Sequence, residues 1–353
     1  MIRADLKPGK ALTRRAINAQ RLTFSQAMPA SPNLELDLRP ATLDDVGIVA
    51  DLEASRDPED PRDPDMLRYW WTSLSSDEVV MRLVAVSESA AVAFLGTGHR
   101  RWDDTPERFG WLRPILSEEQ WSDSAYLNLV GRAERWLRQE GAAVAWVRSR
   151  EDRHRELDAL GRAGYREVRR QTISELDLVA HRGPLLEAAA KFRRRMQDQG
   201  VEMLTFSDDK DPDRMAKLHA MMVAAEQDIP TTVPIPQQPF DKWKRATFDN
   251  PATRLDRFWI AREGDRIVGL SFLDYPPIRG LPWTSFTATS QEVRGRGIAR
   301  ALKYESIAQA IHLGHQRIRT SNDGANAPML HINQEMGYRL IVPIVELHRE
   351  VAS

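Results

Sequence analysis

The chain contains no cysteine among its 353 residues. That excludes thiol catalysis, disulfide bonds and cysteine-ligated zinc in one step. An excess of one charge is also missing. The 50 Lys and Arg residues stand against 51 Asp and Glu, a formal net charge of −1, so neither a general nucleic-acid binder nor a membrane-surface protein is expected. No apolar run is long enough for a signal sequence or a membrane span, and a cytoplasmic location is the default expectation. The eight histidines are scattered, and none forms a His-Glu-x-x-His pattern, so no metal site is expected. His312 and His315 share one helix face near its end, where imidazoles compensate the helix dipole.

What is present describes a globular protein, 42% hydrophobic and 29% charged. The length points to two domains. Residues 1–33 carry Arg3, Lys7, Lys10, Arg14, Arg15 and Arg21 against Asp5, which reads as a basic, solvated arm.

Beyond that arm the two halves echo each other. Gly164-Tyr165-Arg166 is separated from Gly337-Tyr338-Arg339 by the same interval that separates Gly141 from Gly314. Each of these glycines follows a predicted helix and opens a strand. Arg82–Val86 and Val92–Leu95 predict a hairpin around Glu88-Ser89; Phe258–Ala261 and Ile267–Leu270 predict its counterpart around Gly264. Equal offsets at several landmarks indicate an internal duplication. The reading is α/β: a first domain over 34–180, a solvated linker helix over 181–200 containing Arg193-Arg194-Arg195, and a second domain over 201–353. Each domain is expected as a mixed, mostly antiparallel sheet flanked by helices.

The most informative segment is Arg294-Gly295-Arg296-Gly297-Ile298-Ala299. Before it, Trp283–Thr289 is rich in β-branched and aromatic residues and predicts a strand. After it, Ala301, Leu302, Ile307, Ala308 and Ile311 recur at helical spacing. A glycine loop feeding a helix N-terminus gathers free N–H groups and the positive end of the dipole at one point, which binds phosphate. Arg294, Arg296, Arg300 and Lys303 add positive charge nearby.

With this loop in place, the second half resembles the GNAT superfamily of acyl-CoA-dependent N-acetyltransferases. The motif Arg/Gln-x-x-Gly-x-Gly/Ala is met by Arg294, Gly297 and Ala299. Thr320-Ser321-Asn322, Asn326, Met329, Asn333 and Gly337-Tyr338 follow in the spacing of the next motif. The resemblance covers 201–353 well, and 35–180 through element order, as in tandem GNAT proteins such as the mycothiol synthase-like group. It implies acetyl transfer from acetyl-CoA to a primary amine, small-molecule or peptide, by direct attack in a ternary complex. The pyrophosphate would lie on Arg294 to Ala299, and the pantetheine arm along Thr287, Ala288 and Thr289. Asn322 and Asn326 would order the neighbouring loop and reach the pantetheine, with a plain helix cap as the other reading of Asn322.

The sequence departs from the family pattern at Asn333, where many members carry a tyrosine that protonates the leaving thiolate. Tyr275 and Tyr304 are substitutes for that acid, and Glu226 is the candidate base, with Asp228 and Asp274 expected near the acceptor. The offset between the halves carries the glycine loop onto Trp121-Ser122-Asp123-Ser124-Ala125-Tyr126. No glycine stands there and Asp123 repels a phosphate, so the first half is expected to have lost the cofactor and to serve as a wall, a partner surface or part of the acceptor pocket. The alternative function is a non-catalytic CoA-binding sensor or scaffold, for which Asn333 speaks.

Overall fold

The computed structural model describes residues 36–74, 77–103, 105–228, 231–233 and 237–351. The basic arm expected over 1–33 lies outside the described residues. The first half runs β1 (Arg39–Pro40), α1 (Val46–Arg56), α2 (Pro64–Thr72), β2 (Glu78–Ser87), β3 (Ala90–Arg100), β4 (Phe109–Leu116), α3 (Asp123–Gln139), β5 (Val144–Arg150), α4 (His154–Arg162) and β6 (Arg166–Asp177). After α5 (Arg182–Asp198) the second half runs β7 (Glu202–Thr205), α6 (Arg214–Glu226), α7 (Phe240–Phe248), β8 (Phe258–Glu263), β9 (Arg266–Asp274), β10 (Trp283–Thr289), α8 (Ile298–His312), β11 (Arg317–Asp323), α9 (Ala327–Glu335) and β12 (Arg339–Glu350). The bounds of β5 and β11, of α4 and α9, and of β6 and β12 are all offset by the interval that relates Gly164 to Gly337. The duplication seen in the glycines is therefore a duplication of structure.

Among the described residues all twelve strands form one sheet, in the order β1-β2-β3-β4-β5-β12-β6-β11-β10-β9-β8-β7. The two halves exchange their last strands. β6, from the first half, pairs antiparallel with β11 of the second, while β12 returns to pair with β5 of the first. β6 and β12 also pair with each other, so the seam between the halves is a continuous ladder. Both hairpins form where turn chemistry predicts them. Glu88 and Ser89 take positive φ in the tight turn between β2 and β3, and Gly264 does so between β8 and β9.

Each half covers its sheet on both faces. On one face, α3 and α4 pack on Leu95, Leu112, Ala145 and Val147, and α8 packs on β8 and β9. On the other, α1 and α2 pack on Val84, Phe94 and Ile115, while α6 and α7 cover Ile260, Leu270 and Phe272. The helix expected as a solvated linker is instead part of this layering. Leu185, Ala189 and Met196 of α5 are buried in the α8 clusters, and the arginines occupy its outer side.

In each half two parallel neighbours part company. β10 and β11 pair only at Trp283 and Arg319, then diverge. β4 and β5 pair from Phe109 to Trp111 against Val144 to Trp146, then diverge. Each divergence opens a V-shaped gap in the sheet, with strand edges free to pair with something else.

Candidate active site

The second-half gap begins at a bulge. The register of β10 against β9 shifts between Thr284 and Phe286, so Ser285 is the extra residue. Thr287, Ala288 and Thr289 then pair with Ser271, Leu270 and Gly269 on one edge only. The Thr287 hydroxyl lies 2.9 Å from Ser271 Oγ. Beyond β10, Gly295 and Gly297 hold φ of +79° and +90°, a region that glycine enters without a steric penalty. Gly297 is the N-cap of α8, and no side chain caps that helix. Among the described residues no acceptor takes the N–H groups of Gly295 through Ala299, so they point outward at the dipole end. At Gly269 of β9 an added Cβ would lie 2.9 Å from Leu302 of α8, which seats this helix directly on the sheet.

The loop's cations are mostly engaged. Arg294 pairs with Asp228, Arg296 with Glu263 at 2.9 Å, and Arg300 with Glu335 at 2.5 Å. Asp228 therefore sits beside the phosphate loop, where Gln291 also donates to it. Arg195 of α5, expected on a solvated linker, comes within 3.9 Å of the position a Gly297 Cβ would take. It has no ion pair among the described residues and is exposed beside the glycine loop.

The inner end of the gap holds the unusual chemistry. Lys303 does not join the loop's cations. It is 1% exposed, and its Nζ has no hydrogen-bond partner among the described residues. The ammonium lies over the Tyr338 ring, 5.2 Å from its centroid. Burial pushes its pKa down to about 7. Tyr338 stands beside Thr284 of β10, the residue before the bulge. Asn333 of α9 is 3% exposed; its amide donates to Asn322 Oδ1 of β11 at 2.6 Å and its own Oδ1 is left unpaired. Asn322 is thus a strand residue in contact with Asn333. The cap belongs to Asn326, whose side chain accepts from Met329 N at 3.2 Å.

Neither expected acid–base residue faces this gap. Tyr275 is buried among α5 and α8 residues, with Arg257 over its ring and His315 against it. Successive strand side chains alternate faces, so Tyr275 turns to the α8 side and Asp274 to the α6 side. Tyr304 is buried on the same α8 side and stacks on Phe192. Glu226, at the end of α6, is half-buried near His219, and burial raises its pKa. It lines neither the cavity beside Asp274 nor the groove between α2 and α7.

Asp274 is better placed. Thr253 Oγ1 donates to it at 3.2 Å, Ser285 at the bulge is its second partner, and burial raises its pKa above the usual carboxylate range. It lines a cavity of about 430 Å³ that runs from β9 and β10 across Ile173 of β6 and Ile344 of β12 to Arg113, Arg150 and Arg153 in the first half. A groove of about 1100 Å³ between α2 and α7 adjoins it, sharing Trp70 and Arg113.

The first-half gap is built from the same elements and filled differently. Arg56 comes from α1 on one face and Glu156 from α4 on the other, and they pair beside the gap where β4 and β5 part. Ser149 of β5 donates to the same carboxylate at 2.7 Å. The helix that follows this gap, α3, is capped by Ser122, which accepts from Ala125 N at 3.1 Å, and Asp123 occupies its first turn.

A parted parallel pair, a bulge on one strand, and a glycine-capped helix with free N–H groups define a fold class, that of the GNAT proteins, here in tandem. Residues 218–338, which span β10, the glycine loop, β11 and α9, match the acetyltransferase (GNAT) family. The chain is similar to a GCN5-related N-acetyltransferase from Sphaerobacter thermophilus, with a TM-score of 0.62 and 18% identity over 90% of this chain and 96% of that one. It is likewise similar to a tandem GNAT protein from the clavulanic acid biosynthesis pathway, with a TM-score of 0.68 and 13% identity over 90% of this chain and 99% of that one. A GCN5-related glucosamine N-acetyltransferase region of a fungal multi-domain β-N-acetylglucosaminidase gives a TM-score of 0.62 and 14% identity, over 88% of this chain and 38% of that one. No curated protein matches the sequence. Among the described residues no cluster of metal-ligand side chains occurs, and no helix is long and apolar enough to cross a membrane.

Proposed function

We propose that this protein acetylates a primary amine from acetyl-CoA, with chemistry in the second half. The observation that carries the proposal is the β10–β11 gap. It has unclaimed N–H groups and open-φ glycines at one end, and a buried, unpartnered ammonium with an unpaired amide oxygen at the other. Such orphans are costly unless a ligand meets them, so these residues fit the co-substrate. Gly295 to Ala299, with Arg195 beside them, would hold the pyrophosphate, and the free edge of β10 would receive the pantetheine arm as a strand. When bound, acetyl-CoA supplies the acyl carbon, whose bond to nitrogen forms as its bond to sulfur breaks.

The protein's own groups move the protons. Asp274, made a stronger base than an ordinary carboxylate by burial and seated at the bulge, takes the proton that the acceptor ammonium must lose before nitrogen attacks. Lys303, at the inner end of the gap, gives a proton to the departing sulfur and stands in the role that Asn333 cannot fill. It then regains that proton from solvent. Asn333 positions Asn322 on the far wall.

The test is acetyl-CoA-dependent release of free thiol with an amine panel, using wild type and Asp274→Asn. The variant should lose about 10²-fold or more in kcat while its titration with acetyl-CoA stays unchanged. An active Asp274→Asn enzyme would remove Asp274 from the role. No thiol release with any amine while acetyl-CoA still binds would favour the sensor reading that Asn333 suggests, whereas thiol release without an amine would make the protein a thioester hydrolase.

A further inference from the structure

The cavity beside Asp274 has two chemically opposite ends, and that asymmetry bears on the acceptor. At the second-half end stands Asp274, with only hydroxyl partners. At the first-half end stand guanidiniums. Glu53 answers Arg62 and Arg113, Asp57 answers Arg150, and Glu156 answers Arg56. Arg153 is the cation left over at this end. It has no ion pair or side-chain hydrogen bond among the described residues; Arg150 crowds it, Asp152 and Asp57 attract it from beyond ion-pair distance, and it in turn crowds Arg56. Burial, with Arg153 next, pulls the Arg56 pKa down to about 10. Arg153 is thus a half-buried cation without an ion-pair partner of its own, with Arg56 and Arg150 beside it, an arrangement that an incoming anion relieves. Arg153 is also the N-cap residue of α4, and its side chain makes no capping hydrogen bond.

Resting on the acetyltransferase reading, we infer that the acceptor is an elongated amine with an anionic group, carboxylate or phosphate, at its far end. The amine meets Asp274 and the anion meets Arg153 in the first half. Distance sets the length. Arg153 follows β5, and Asp274 ends β9, five strand spacings away. At about 4.8 Å per spacing that is roughly 24 Å between strand axes. Even with a long arginine reaching in, an α-amino acid, whose two charges share one carbon, cannot touch both ends. The parted strands that would hold a cofactor in the second half become, in the first, the anion-binding arm of the acceptor pocket.

The test titrates three series calorimetrically into wild type and Arg153→Gln: ω-amino carboxylates from glycine to 8-aminooctanoate, ω-aminoalkyl phosphates, and plain alkylamines of equal length. Arg153 makes no ion pair or side-chain hydrogen bond among the described residues, and the melting temperature checks that the fold tolerates the change. Long members with an anionic end should bind wild type at least tenfold more tightly than the plain amines. Arg153→Gln should erase that preference and leave acetyl-CoA binding unchanged. The better of the two anionic series identifies the group. Equal affinity for anionic and plain amines at every length, or a preference that survives Arg153→Gln, would overturn the inference. Because binding is read without acetyl transfer, an absence of turnover with these probes would count against the acetyltransferase reading and not against the subsite.

Discussion

The two gaps in the sheet are built from equivalent elements of the two halves, yet they have opposite characters. In the second half, the helix after the gap begins on a left-handed glycine with its N–H groups free, and a lone ammonium is buried at the gap's inner end. In the first, the helix is capped by Ser122 and led by Asp123, and the gap is flanked by the Arg56–Glu156 pair with Ser149 behind it. The helix end and the gap's flank, which leave the second gap open to a cofactor, have counterparts that close the first to one. Satisfied polar groups make a wall; unsatisfied ones at the same place in the fold make a site.

Lys303→Met should give the largest change in this contrast. As proton donor it should cost about 10²–10⁴-fold in kcat while the fold gains stability. The folded pKa of Lys303 is about 7, below its ordinary 10.5. Between those values the unfolded chain holds more protons, so stability rises with pH across that window, and the full penalty is present below about 7. Removing the ammonium should therefore add on the order of 2–4 kcal/mol at pH 6 and flatten the pH dependence of melting. The rate profile has the opposite limb: wild-type activity should fall as pH rises through about 7, and residual Lys303→Met activity should lack that limb. A variant that is both less stable and fully active would make Lys303 a packing residue.

Arg56→Met sharpens the other side. It leaves Glu156 buried without its cation, which costs about 3–5 kcal/mol and should show as a lower denaturant midpoint. Adding Glu156→Gln should recover most of the loss. Neither variant should gain a second acetyl-CoA site, because Ser122 and Asp123 still close the helix end.

Much of this contrast is legible in the sequence, because its parts are local. The glycine loop is a run of six residues whose φ requirements and helix-terminal position follow from residue types alone, and so does its absence at Trp121–Tyr126. What is not legible depends on partners distant in the chain. Strand exchange between β6 and β12 leaves no mark, since both strands read alike and only tertiary pairing decides their neighbours. Lys303 reads with the loop arginines because it follows them closely. However, α8 is buried on nearly every side, and such a helix offers no polar stripe from which to read direction. Asp274 ends a strand buried on both faces and Tyr275 follows it, so alternation says that they diverge but not which one meets the cavity. Arg153 has no sequence signal; it matters because the first half's gap and the second half's bulge open into the same space.

The central claim is that one gap binds acetyl-CoA and the other does not. It is tested most directly by calorimetric titration of acetyl-CoA into wild type and Ala299→Glu. Ala299 lies in the first turn of α8, where a carboxylate favours the helix and opposes a phosphate, so lost binding there is not lost folding. The account predicts one site per chain in wild type and none in Ala299→Glu, with an unchanged or higher melting temperature. Two sites in wild type, or binding that survives Ala299→Glu, would contradict it.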